Sequence, residues 1–341
     1  MSKMPFNADV AIIGAGPAGL FAVFECGMLK MTCHVIDVLG AVGGQCQALY
    51  PEKPIYDIPG YPEILAGDLV GKLEAQADPF DPVYHLDQQV VSLSEHAGGL
   101  WRLKTSKGAV IDAKAVFIAA GVGAFGPNRP PLAGIEAYEG KGPGLGVHYL
   151  VGNREDFRDK KVVIAGGGDS AVDWALSLSE IAKSVAVIHR RPKFRAAPGS
   201  AEKLKALADA GKVDLIVPYQ LAGLEGEGTL DAVVVRDLDD KTRRLEADVL
   251  LPFFGLSQNL GPIAEWDLNL EKSHISVDPA GCETNKPGIF AIGDIATYPG
   301  KLKLILSGFA EAAQAAHAAH AIVHPGEALH FEYSTSIGVP D

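Results

Sequence analysis

The stretch Val10–Phe24, VAIIGAGPAGLFAVF, constrains the fold more than any other part of the chain. Four apolar residues, Val10 to Ile13, read as a buried strand. They run straight into Gly14-x-Gly16-x-x-Gly19, and an Ala/Leu/Phe run at helical spacing follows. A chain that passes so abruptly from strand to helix needs glycine at three places. Gly14 permits the tight turn, Gly16 lets the backbone approach a pyrophosphate, and Gly19 lets helix and strand pack closely. The free N–H groups at the helix start, with the helix dipole, then hold an anion. Asp37 closes the next apolar strand, His34-Val35-Ile36. A carboxylate at that distance accepts a hydrogen bond from a ribose 2′-hydroxyl.

The same plan is written a second time. The first half continues through the β-rich runs Gln89–Ser94 and Leu100–Thr105, then closes on Ala115-Val116-Phe117-Ile118 and Ala119-Ala120-Gly121. Val162 to Ala165 leads into Gly166-Gly167-Gly168-Asp169-Ser170-Ala171, a helix, and the strand Val185–Ile188. The runs Val213–Val217 and Ala232–Arg236 follow, ending at Val249–Leu251 and Phe253-Phe254-Gly255. Two successive units of this kind predict an α/β protein with two tandem Rossmann-like dinucleotide-binding domains. One more buried strand, ending in Gly293-Asp294, precedes an Ala-rich helix from Ser307 to Val323. That piece is too small for a domain and is expected to return to the first sheet. The first domain is then discontinuous, residues 1–119 and 256–341, with the second domain, residues 120–255, inserted. The Gly- and Pro-rich loop from Phe125 to Val147 reads as the main crossing between them.

The second glycine turn differs from the first where it is informative. Gly166, Gly168 and Ala171 fit G-x-G-x-x-A, with Asp169 and Ser170 opening the helix. The strand after that helix ends in His189-Arg190-Arg191, with Arg195 close behind and no acid. Guanidinium forks suit a 2′-phosphate. Alone, such a run is a solvated surface; after a matched glycine turn it reads as a phosphate site. The chain therefore asks for an ADP moiety with free hydroxyls in one domain and NADP(H) in the other. FAD and a second nicotinamide both meet the first demand. Two nicotinamides have nothing to exchange, whereas NADP(H) and a flavin make a hydride relay, because a flavin accepts hydride and releases electrons singly.

Little competes with that reading. The four cysteines, Cys26, Cys33, Cys46 and Cys282, show no C-x-x-C pair and read as buried reduced thiols of a cytoplasmic protein. His317 and His320 lie on the Ala-rich helix without a third ligand, so they read as exposed or interface residues and no metal is expected. A net charge of −12 argues against nucleic acid. Val10–Phe24 is too short for a bilayer span, which takes ~20 apolar residues.

The two glycine turns, Ala119-Ala120-Gly121 and Gly293-Asp294 together resemble the two-dinucleotide-domain flavoprotein reductases similar to bacterial thioredoxin reductase. Those enzymes carry a redox Cys-x-x-Cys just before the second glycine-turn strand. Here the segment Gly146–Asn153 holds no cysteine, and thiol–disulfide exchange needs an attacking thiolate. The resemblance is closer to the thioredoxin-reductase-like ferredoxin–NADP⁺ reductases. Gly43-Gly44-Gln45, Ala48 to Lys53 and Tyr56 to Pro62 are similar to that family's flavin-embracing loop, and Tyr333-Ser334-Thr335-Ser336 to its C-terminal extension.

This resemblance implies a homodimer with FAD and NADP(H) that exchanges electrons with ferredoxin or flavodoxin. It implies that Tyr50 stacks on one flavin face and Tyr333 covers the other. It implies that Asp294 bonds the ribityl chain and that the helix behind it aims its N-terminus at the isoalloxazine. Further FAD contacts are implied at Pro17, Ala18, Gln45, Asp57, Val90, Ala120, Phe125 and Thr335. Asp57 has a second reading, an Asx turn before Pro59, which the residues leave open. The expected activity is FAD-mediated electron transfer between NADPH and ferredoxin. The alternatives are another acceptor (oxygen, quinone or a low-molecular-weight disulfide) or a non-catalytic FAD redox sensor, which would have no use for a 2′-phosphate site.

Overall fold

A computed structural model describes residues 4–327 together with Leu329 and Gly338; the side chains of residues 124–127 and 256–258 lie outside that description. Six α-helices run through the described residues: α1 Pro17–Met28, α2 Gly44–Ala48, α3 Ala66–Ala77, α4 Asp169–Leu178, α5 Pro198–Asp209 and α6 Ile305–Val323. None of them is long and apolar enough to cross a membrane. The chain divides into two compact units, residues 1–125 with 258–341, and residues 126–257.

The first unit is built on a parallel sheet around β1, Phe6–Ile13. On one side β1 pairs with β2, Cys33–Ile36, and β2 with Val83–His85; on the other it pairs with Val110–Ile118. The outer edge of Val110–Ile118 is shared. Its first half pairs antiparallel with Leu100–Thr105, and its second half pairs parallel with Ile289–Ala291, Val116 opposite Ile289. The third sequence segment thus returns to complete the first sheet.

Val10, Ala11 and Ile12 are fully buried because both faces of β1 are covered, which is why the strand reads as a continuous apolar run. Val10 and Ile12 face a core shared with α1, α3 and α6; Ala11 and Ile13 face another containing Trp101, Ile263 and Trp266. Helix α3 lies outside the strand and helix runs read from the sequence. Its Leu69, Val70, Leu73 and Ala77 recur at helical spacing and pack into the first of these cores.

The second unit carries its own parallel sheet, in the order Gly146–Val147, Val249–Pro252, Lys161–Ala165, Ser184–Ile188, Asp214–Ile216. Helices α4 and α5 cover one face. An antiparallel sheet of Gln220–Glu225, Ala232–Arg236 and Thr242–Glu246 brings Val233, Val235 and Leu245 to the other. Parallel sheets covered on both faces, one per unit, are the two tandem Rossmann-like folds expected.

One expectation needs correcting. Most of the loop 125–147 belongs to the second unit and is not a crossing. Ile135 is buried in that unit's core, and Tyr138 Oη donates to Gly226 O at 3.0 Å. The chain crosses through two short strands, Ala124–Pro127 and Leu256–Asn259, paired as a ribbon.

Candidate functional site

The first glycine turn separates glycines required by packing from one that is not. Gly14 has φ +113°, and a Cβ there would lie 2.3 Å from Ala119 O; one at Gly19 would lie 2.0 Å from Gly14 O. At Gly16 the nearest atom to an added Cβ is Gly44 Cα at 4.0 Å, so its side is open. Helix α1 starts here with Pro17 at its first position, no side-chain cap and no acid in its first turn. The N–H groups of that turn are free for an anion.

Asp37 stands beside the turn, buried. Its Oδ2 accepts from Ala15 N–H at 2.6 Å and its Oδ1 from Leu39 N–H at 2.8 Å. Burial pushes the carboxyl above its usual range, against the pull of these N–H groups. A carboxylate oxygen that accepts one N–H still has capacity for a second donor.

Beyond the turn, Gly43 N–H donates to Ala15 O at 2.7 Å and seats α2 against it. Gln45, on α2, lies beside Gly121, whose added Cβ would be 3.5 Å from Gln45 Nε2. Tyr50 follows, half-buried against the core, its Oη 4.0 Å from Cys46 Sγ. Burial raises the Tyr50 phenol and pushes the Cys46 thiol up to about 11, and the negative charge of Asp294 adds to both. Asp294 therefore stands in the same neighbourhood, half-buried in the turn Gly293–Ile295.

Three elements meet at that turn. A Cβ on Gly293 would lie 3.3 Å from Ala18 Cβ, and one on Gly308, in the first turn of α6, 3.1 Å from the same atom. The starts of α1 and α6 and the Asp294 turn are thus packed together, which places Ala18 here. Glu311, which the sequence presents as one more charge on an Ala-rich helix, is buried and bonded to this turn.

Other expected residues fare differently. Asp57 is exposed and its carboxylate makes no hydrogen bond among the described residues, so its Asx reading finds no support. The Val90 side chain is buried in the apolar core, which leaves its backbone for a ligand. Ala120 is half-buried just past Val110–Ile118, and the backbone of Phe125 lies in the crossing ribbon. Tyr333 and Thr335 lie outside the described residues. His320, expected to be exposed or at an interface, is buried on α6 with its ring 4.9 Å from that of His324; the packed face of α6 reaches further round the helix than its alanines suggest.

The second glycine turn repeats the design. A Cβ on Gly166 would lie 2.7 Å from Phe253 O and 3.0 Å from Ala171 Cβ, which is why position 171 must be small, whereas Gly168 has nothing within 4 Å. Helix α4 begins there without a side-chain cap. Asp169 Oδ1 accepts from Ala197 N–H at 2.9 Å, and Arg195 N–H donates to Gly167 O at 2.7 Å. These bonds fold the arginine segment back over the helix start, beside the exposed Ser170. The His189 ring lies against Gly167 and 5.1 Å from the Phe194 ring; its buried Nε2 has no partner among the described residues, and burial lowers its pKa. Arg190, Arg191 and Arg195 are exposed and form no ion pair among the described residues. Three unpaired guanidiniums beside an uncapped helix start can take up a multiply charged anion.

This pair of cradles is matched by a family model described as pyridine nucleotide-disulphide oxidoreductase, over residues 8–321. The chain belongs to that family. It is 66% identical over 335 residues to the ferredoxin–NADP reductase of Paramagnetospirillum magneticum, covering 98% of each chain. It is 62% identical over 340 residues to that of Rhodospirillum rubrum, covering 98% of this chain and 97% of the relative. Among solved structures, thioredoxin reductase from Lactococcus lactis superposes with a TM-score of 0.77 at 26% identity, over 93% of this chain and 99% of that one. The thioredoxin reductase of T. acidophilum gives 0.78 at 24% identity, over 92% and 98%. The chain is thus an oxidoreductase with a thioredoxin-reductase-like fold, and the resemblance to ferredoxin–NADP reductases holds over nearly its full length. The segment Gly146–Asn153, just before the second glycine-turn strand, holds no cysteine.

Proposed function

We propose that this protein is a ferredoxin–NADP reductase, with FAD in the first unit, NADP(H) in the second, and ferredoxin or flavodoxin as electron partner. The observation that carries it is the contrast between two otherwise equivalent cradles. One ends in a buried carboxylate, Asp37, and the other in three guanidiniums with no ion pair among the described residues. Each has a glycine, Gly16 or Gly168, that no protein contact demands. Open space over an uncapped helix start fits a pyrophosphate.

When bound, FAD supplies the exchange between hydride and single electrons. The chain's part is to bind and orient. The first turn of α1 holds the pyrophosphate, and Asp37 takes the ribose hydroxyl. Gln45 and Tyr50 line the flavin, Asp294 holds the ribityl chain, and Val90, Ala120, Phe125 and Asp57 border the remainder. Around Gly166, Gly168 and Ala171, the groups of Asp169, Ser170 and His189 frame the second nucleotide, while Arg190, Arg191 and Arg195 select a 2′-phosphate. Tyr333 and Thr335, outside the described residues, would complete the FAD site on this reading. The same reading makes the protein a cytoplasmic homodimer; a chain with no C-x-x-C pair suits a reducing compartment.

The test is the visible spectrum of the purified protein and the nucleotide released on denaturation. A yellow protein releasing FAD, titrated by NADPH in preference to NADH, is expected. A colourless protein that takes up no FAD would refute the reading, and equal titration by both nicotinamides would refute the role of the arginines.

A further inference from the structure

Glu311 stands two turns into α6 with its side chain 1% exposed, yet it is surrounded by donors. Its Oε2 accepts from Gly293 N–H at 2.7 Å, and its Oε1 accepts from Tyr298 Oη–H at 2.7 Å and pairs with Lys301. The Lys301 side chain is itself only 5% exposed, and its Nζ lies 5.6 Å from the Tyr298 ring centroid. A carboxylate withdrawn from water persists only when neutralised and fully hydrogen-bonded. Here an ammonium, a phenol and a backbone amide meet that demand. One side chain thereby grips the segment 293–301 at three points.

The grip acts where there is no slack. Gly293 has φ +73° and lies between the first turns of α1 and α6, against Ala18 and Gly308. Asp294 is the next residue, so the bond from Gly293 N–H to Glu311 fixes the Ile292–Gly293 peptide that leads into its turn. The ion pair also leaves no net charge beside Asp294. Burial, and next the bond to Glu311, push the Tyr298 phenol up, so it stays a donor.

We propose that Glu311, with Tyr298 and Lys301, is a positioning cluster for the Asp294 turn, setting how tightly FAD is held and at what potential it works. This rests on the reading of the first unit as the FAD site. Glu311→Gln keeps an acceptor for Gly293 N–H but leaves Lys301 as an uncompensated cation near the flavin. That cation favours negative charge on the reduced ring.

The experiment compares the parent protein, Glu311→Gln and Tyr298→Phe by FAD titration of the apoprotein, spectroelectrochemistry and thermal melting. Glu311→Gln is expected to bind FAD about tenfold or more weakly and to shift the flavin potential to more positive values. Tyr298→Phe, which removes one bond and no charge, is expected to weaken FAD severalfold with little change in potential. Glu311→Gln with the parent's FAD affinity and potential, and only a lowered melting temperature, would overturn the proposal. If Glu311→Gln does not fold, unchanged FAD affinity in Tyr298→Phe would overturn it equally. A parent that binds no FAD would refute the underlying reading instead.

Discussion

At the scale of single residues, Asp37 and the arginines divide the two nucleotides between them. Asp37→Ala strips Ala15 and Leu39 of a common acceptor, and the buried donor left stranded at Ala15 costs about 1–3 kcal/mol. Its FAD affinity is expected to fall about tenfold or more, measured by flavin fluorescence titration; unchanged affinity would remove Asp37 from the site. Replacing Arg190 and Arg191 together by Gln is expected to raise the Kd for NADPH about 10–100-fold and leave NADH unchanged. A pair of residues outside the site contributes to the pH dependence of stability. His34 Nδ1 and His85 Nε2 are 2.9 Å apart and buried. Burial lowers both pKa values, and the charge of His85 further lowers that of His34. The unfolded chain takes up protons near about pH 6.5 while the folded rings stay neutral. Stability present above that pH is therefore lost as pH falls from there towards the folded values, by up to about 1.4 kcal/mol per pH unit for each ring. Denaturant unfolding from pH 7 to 5 should show this slope, and a His34→Gln, His85→Gln variant should flatten it. Asp37 and the arginine run stand out in one dimension because each ends a strand at a set distance from a glycine turn. The His34–His85 pair does not, since its partners come from strands joined only in the folded sheet.

At the scale of elements, the strand–turn–helix unit allows packing to be separated from binding. Gly19→Ala would put a methyl group 2.0 Å from Gly14 O and is expected to cost at least about 1–3 kcal/mol of stability. Gly16→Ala meets no atom closer than 4.0 Å, so the apoprotein should lose no more than about 1 kcal/mol, while FAD binding weakens about tenfold or more. Melting and titration of both variants check this; a Gly16→Ala protein that binds FAD normally would contradict it. Truncation after Glu332 should alter flavin reactivity or NADP(H) handling if the tail covers the ring, and unchanged kinetics would deny it that role. The elements that announce themselves in the sequence are those buried on both faces, such as β1 and Val110–Ile118. Helix α3 is harder to see, because its apolar residues share space with glycines and charges between two loop-like stretches. Glu311 is harder still: a carboxylate in an Ala-rich helix looks solvated until Tyr298 and Lys301 close over it.

For the whole molecule, the sequence makes the repeat of two dinucleotide folds legible, because each glycine turn carries its own strand and helix. The return of Ile289–Ala291 to the first sheet follows from its being too short to fold alone. The three-stranded sheet of the second unit is less visible, since Thr242–Glu246 is mostly exposed and charged. What neither glycine turn reveals is the electron acceptor, which rests on likeness to relatives such as one 66% identical. Electron exchange between a chain of net charge −12 and a ferredoxin would have to pass through a local surface its charge count does not disclose. Anaerobic sequential-mixing stopped flow, with NADPH first and oxidised ferredoxin second, follows the whole electron path. Loss of the flavin's visible absorption is expected on the first mix, and its recovery on the second as ferredoxin becomes reduced. A flavin that NADPH leaves unbleached, or that stays reduced in the presence of both ferredoxin and flavodoxin, would contradict the proposed function.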